Sequence, residues 1–144
     1  MSSARTIQTS KSADLVTFKI LIDKVELPAT AQVMLIAVEK ELNRIPTAKI
    51  ILSDGNPSAQ DFALSNEDLL VPGKEIEIKA GYHSDESTIF KGIVIKHSLK
   101  IRSGSAQLII ECKDKAVKLT SGRKSKYFLD SKDSDAFEEI IGTY

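Results

Sequence analysis

No tryptophan occurs in these 144 residues, and cysteine occurs only once. Cys112 alone excludes an internal disulfide and any metal cluster built from thiolates. Without tryptophan, the paired carboxylates of "EIE" (Glu75 and Glu77) lack the aromatic platform of a sugar-cleaving cleft, and they read as solvated strand residues. Excess charge is missing as well. Twenty Lys and Arg offset twenty Asp and Glu, so no global field draws the chain to nucleic acid or anionic membrane. No apolar run approaches the ~20 residues that a membrane helix needs. The opening "MSSARTIQTSKSADL" has no apolar core of a signal peptide, so synthesis and retention in a reducing cytoplasm are expected, short of a non-standard export route. The G-x-S-x-G, P-loop and dinucleotide-binding glycine patterns are absent.

The few residues able to carry chemistry stand apart from one another. His83 lies in a polar turn with no second His or Cys to support a metal or general-base role. His97 shares a strand face with aliphatic residues and reads as a core or barrel-end histidine holding a hydrogen bond. Cys112 alternates with Leu108 and Ile110 as a small buried hydrophobe. With no nucleophile–base set, the expectation is a protein that is not an enzyme and holds neither cofactor nor metal.

What the chain does contain is alternation. Apolar residues make up 42% and charged ones 28%, a balance suited to one soluble domain. Residues 1–13, rich in Ser, Thr and Lys, read as a flexible arm, and 14–144 as a single domain. Period-two patterning predicts strands near 15–23, 33–43, 47–53, 74–81, 89–102 and 106–114. Residues 33–43 are contested, because "AVEKELNR" favours helix by propensity while "QVMLI" favours a buried strand. Asp23-Lys24, Asp54-Gly55 and Pro72-Gly73 read as turns, residues 56–70 as an excursion with one helical turn, and "GYHSDES" as a long polar hairpin tip. Val16, Phe18, Ile20, Ile76, Ile78, Ile93, Ile95, Leu108 and Ile110 are the expected core. On the long strand, Ile93, Ile95, Leu99 and Ile101 form one face. Phe90 and Val94 fall on the other, out of step, and Gly92 suggests a bulge or bend. "DSDAFEEIIGTY" has helical spacing, with Phe137, Ile140 and Ile141 on one stripe and acidic residues in the first turn.

Charge is segregated along the tail. "GRKSK" follows Lys113, Lys115 and Lys118, whereas Asp54–Glu86 and Asp130–Glu139 are acid-rich. Tyr127 and Phe128 end the basic run instead of interleaving with it, which weakens a nucleic-acid reading. A basic rim that meets an acidic rim on a neighbouring protein fits better. The candidate contact residues are Arg123, Lys124 and Lys126 in the basic segment and Asp85 and Glu86 in the polar tip, both taken as loops on a rigid scaffold.

"ELNRIPTAKIILSDG", "FALSNEDLLVPGKEIEIKAGY", "IFKGIVIKHSLKI" and "LIIECKDKAVKLTSGRKSKYF", followed by "KDSDAFEEII", together resemble the N-terminal part of VgrG-type spike proteins. These are tip proteins of type VI secretion and related contractile injection systems, akin to the baseplate hub of contractile-tailed phages. The resemblance covers residues 15–144 and implies a mostly β fold, an antiparallel β-barrel similar to the Hcp tube protein with one or two short helices. It also implies strand for the contested segment. In that family three hub chains, each with two such barrels, form a pseudo-sixfold ring that mates with the tube. The implied partners are therefore further copies in a homotrimer, an Hcp-like tube protein and baseplate proteins, with export by the injection apparatus itself. Family members continue into further domains, so this chain corresponds to the first hub domain. A free-standing β-barrel that binds a small ligand or a protein partner is the alternative.

Overall fold

The computed structural model describes residues 15–55, 63–66, 68–83, 85–102 and 105–143. The expected arm at 1–13 and most of the excursion at 56–70 therefore lie outside the described residues. Seven strands follow in chain order: β1 (Val16–Ile22), β2 (Val25–Glu26), β3 (Gln32–Glu39), β4 (Thr47–Asp54), β5 (Glu75–Tyr82), β6 (Asp85–Arg102) and β7 (Ser105–Lys113). A one-turn helix α1 (Ala63–Asn66) precedes β5, and a 3-10 helix (Lys115–Thr120) and α2 (Asp133–Gly142) follow β7.

All the strands belong to one antiparallel sheet ordered β2-β1-β5-β6-β7-β4-β3. The mostly β expectation holds. One buried cluster unites Ile20 and Ile22 of β1, Ile76 and Ile78 of β5, Phe90 and Val94 of β6, Leu108 and Ile110 of β7, and Ile50 and Leu52 of β4. Strands from opposite halves of the sheet share that core, so the sheet curls around it. Closure stops short of a hydrogen-bonded barrel: the sheet begins at β2 and ends at β3, and no pairing joins these strands among the described residues. β2 is only two residues long and runs into Pro28, which has no N–H to donate.

Local chemistry sets the turns. Asp23 and Lys24 both adopt positive φ (47° and 71°), the geometry of a two-residue hairpin whose twist matches its strands. The Asp23 carboxylate then accepts from the Glu75 N–H at 3.0 Å, tying this turn to the start of β5. The contested segment is strand only to Glu39 rather than 43. The helix-forming residues beyond it instead make a turn in which Asn43 takes φ 60°. The polar tip is also tighter than expected. β5 runs to Tyr82 and β6 begins at Asp85, with His83 at φ 54° in the turn.

β6 corrects the predicted faces. Its pairing with β7 slips between Val94 and Lys96, leaving Ile95 as an extra residue. Before that bulge Phe90, Gly92 and Val94 face the core; after it His97 and Leu99 stand opposite Ile110 and Leu108. A one-residue insertion exchanges the two faces of a strand. Ile95 is therefore 36% exposed and Val94 fully buried, and Ile93 is only partly buried. Gly92 marks a close approach: a Cβ there would overlap the Lys113 carbonyl and come within 2.9 Å of the Phe90 ring. Val16 and Phe18 have the expected parity but lie at the end of β1 beyond the reach of the core, and both are exposed.

Candidate interaction surface

The outer face of β1, β5 and β6 carries a ladder of opposite charges. Lys19 reaches Glu86 at 2.8 Å, and Lys74 reaches Asp23 at the same distance. Glu77 accepts from Thr88 Oγ1 at 2.7 Å, and Lys115 pairs with Glu75. The hydrogen bond from Lys19 holds the Glu86 carboxyl below its usual range and raises the Lys19 ammonium. Lys115 does the same to Glu75, Thr88 to Glu77 and Lys74 to Asp23. Asp85 and Glu86 thus lie in strand β6 and not in a loop. Asp85 is exposed, while Glu86 is committed to Lys19.

The basic candidates lie in the extended segment between the 3-10 helix and α2. Arg123 and Lys124 are exposed. Lys126 pairs with Glu139 of α2 and sits 5.5 Å above the Phe128 ring, so it anchors the tail locally. Glu86 is bound to Lys19 and Lys126 to Glu139, so these two candidates are committed to other partners.

α2 has the predicted amphipathic stripe, and among the described residues nothing buries it. None of its residues is buried, and Phe137 is 65% exposed. Asp135 caps its first turn by accepting from the Lys132 N–H at 3.3 Å. Tyr127 and Leu129, just before it, are also exposed. A second apolar surface spans the outer face of β3, β4 and β7, where Leu35 pairs with Ile51 and Ile51 with Ile109. Sequence reasoning missed that face. Its signal lay in the unbroken runs "VMLIAV", "IIL" and "LII", which put apolar residues on both sides of their strands. Between β1 and β3 the open seam forms a cleft of about 530 Å³ lined by Phe18, Ile20, Leu27, Pro28, Ala31 and Val33.

Of the residues able to carry chemistry, His97 and Cys112 are held within the fold, as is the buried Asp54. The Asp54 carboxylate, buried, accepts from the backbone N–H groups of Gly55, Leu64 and Ser65 at 2.8, 3.2 and 2.8 Å, which fastens α1 to the end of β4. His97 Nε2 lies 3.3 Å from Ser65 Oγ, so the same helical turn is tied to β6. Burial pushes the Cys112 thiol up to about 12, leaving it protonated. Among the described residues, no three His, Cys, Asp or Glu side chains converge on a metal position, and no helix is long and apolar enough to cross a membrane.

The family described as the Alg8 N-terminal domain matches residues 12–144. No curated protein matches the sequence. The fold is similar to that of a tail protein from Neisseria meningitidis MC58, with a TM-score of 0.62 and 13% identity over 90% of this chain. It is also similar to the 43 kDa tail protein of prophage MuSo2 from Shewanella oneidensis, with a TM-score of 0.61 and 10% identity over 90% of this chain. The chain spans only 34% and 38% of those two proteins.

Proposed function

The chain belongs to the Alg8 N-terminal domain family, and from that premise we propose that it is a structural component of a contractile injection machine. In this reading it forms part of the hub ring that joins an inner tube to the puncturing tip. The observation that carries the reading is the curled, open-edged antiparallel sheet, whose whole architecture is similar to that of two tail proteins. A phage tail or baseplate part is the broader form of the same proposal; a VgrG-type spike, built as a trimer and mated to an Hcp-like tube, is the narrower form. The protein acts by assembly and not by catalysis, and it leaves the cytoplasm with the apparatus. Exposed apolar side chains at Leu35 on the sheet and at Tyr127, Leu129 and Phe137 in the C-terminal segment are consistent with this reading as places where a neighbour could dock.

The test is genetic and structural together. Deleting the coding sequence in the producing strain is expected to leave tubes without tips, or no particles, under negative-stain electron microscopy, and the protein is expected in purified wild-type particles. Normal particles after deletion, with the protein missing from wild-type ones, would reject the proposal. The seam of about 530 Å³ is what a ligand-binding module would use instead, and that outcome would turn attention to it.

A further inference from the structure

Among the described residues, two apolar surfaces lack a cover, and they are opposite in charge. α2 (Asp133–Gly142) carries four carboxylates, at Asp133, Asp135, Glu138 and Glu139, and no basic side chain, although Glu139 is already paired with Lys126. Its stripe of Phe137, Ile140 and Ile141 is exposed. The outer face of β3, β4 and β7, with the neighbouring part of β6, presents the exposed Leu35 and the partly buried Ile51 and Ile109 in one row across three strands. Lys49, Lys96, Lys100 and Lys113 surround that row against Glu39 and Glu111. Lys96 shares its charge with Glu111 at 3.5 Å, so the excess there is positive but partly balanced.

We propose that α2 of one copy docks on the outer β3–β4–β7 face of a second copy. The proposal deepens the ring-component reading and rests on it. Three strands about 4.8 Å apart make this row roughly 10 Å long and one residue deep along each strand. Phe137 to Ile141 rise about 6 Å along the helix axis, so with α2 laid across the strands its apolar stripe falls along the row, with Lys49 beside it. The contact joins two different patches, so each copy offers a helix to one neighbour and a sheet to the other. Such a head-to-tail contact closes into a ring when its rotation allows. Opposite charge around an apolar centre sets the register and makes the contact sensitive to salt.

The test is analytical ultracentrifugation of the wild-type chain and two variants, Ile141→Lys on the helix and Leu35→Lys on the sheet, alone and mixed in equal amounts. Both sites are exposed, so thermal melts are expected to match wild type. The wild type is expected to associate with rising concentration, less so at high salt. Each variant alone is expected to stay monomeric, because its one remaining patch finds no mate on an identical copy. The mixture is expected to form dimers, since one variant keeps the helix and the other keeps the sheet. A wild type that stays monomeric, with α2 folded onto its own sheet, overturns the proposal. So does a wild type that associates while both variants do the same, or a mixture that remains monomeric. Those failures leave the ring-component reading intact, because incorporation into particles is measured separately.

Discussion

Lysine placed at Val94 or at Ile95 separates the two faces of β6 by a single residue. Val94 is 1% exposed in the cluster with Phe90 and Cys112, whereas Ile95 sits on the bulge, 36% exposed. Val94→Lys loses the roughly 1.5–3 kcal/mol that burying the valine contributes. It also strands an ammonium away from water, at an effective cost of several kcal/mol. Together these approach the 5–15 kcal/mol that holds a domain folded, so the variant is expected not to fold. Ile95→Lys keeps its stem on the outer face with the charge in solvent near Glu111, and is expected to lose about 1 kcal/mol. A milder pair gives measurable numbers. Val94→Thr conserves volume and β-branching, so only the unpartnered hydroxyl is new, at about 1–3 kcal/mol. That corresponds to a Tm lower by roughly 3–10 °C for a chain of this size. Ile95→Thr is expected to cost about 1 kcal/mol or less. Urea unfolding followed by circular dichroism reads both. Should the Ile95 variants prove the more damaging, the bulge is misplaced and the face assignment beyond it collapses.

Gly92→Ala is expected to destabilise by about 1–3 kcal/mol, since its methyl group meets the Lys113 backbone rather than a movable side chain; a neutral effect in the same urea assay would contradict the close approach. Cys112, with its thiol pushed up to about 12, is expected to resist alkylation around pH 8 in the folded protein and to react promptly in guanidinium, so rapid native labelling would mean the core opens there. Asp23, Glu75, Glu77 and Glu86 are held below their ordinary values of 3.8 and 4.5, so their contribution is complete above those values and lost as pH falls through the lowered ones. Lys19 and Lys74 are raised above 10.5, so theirs is present below that value and fades as pH rises past it. The buried Cys112 thiol, raised from 9.0 to about 12, favours the unfolded chain once pH passes 9, so thermal midpoints are expected to form a plateau from about pH 5 to 9. Glu86→Gln is expected to shallow the acid limb, and an unchanged limb would assign the loss to other carboxylates.

The strands were legible because alternation and turn chemistry agreed. Asp23-Lys24 marked its hairpin, and Ile76/Ile78 and Leu108/Ile110 marked one face each. Faces were lost where the period broke. Nothing in "IFKGIVIKHSLKI" says which residue is the extra one, because Val94 and Ile95 have the same chemistry and only pairing with β7 decides between them. Val16 and Phe18 were mistaken for core because parity reports a face, not how far along the strand the core extends. The charged candidates were visible as composition, but their commitments were not. Glu86 is 67 positions from the lysine it pairs with, and Lys126 is held by α2. The outward apolar row needed three strands laid side by side before it could be seen.

The strand order has a consequence for how the chain comes off the ribosome. β5, β6 and β7 are neighbours both in sequence and in the sheet, so this meander can form as soon as it is made. β1 must wait for β5, and β4 must wait for β7. Roughly 60 residues separate Ile22 from Tyr82, a delay of about 3–12 s at ordinary elongation rates. Until β5 arrives, Ile20 and Ile22, and Ile50 and Leu52 once β4 is made, have only side chains that precede β5, such as Val33, Ile36 and Val38 of β3, to pack against among the described core residues. The nascent chain is thus most exposed to aggregation before its second half emerges, and slowing translation between β4 and β5 would lengthen that exposure rather than help folding.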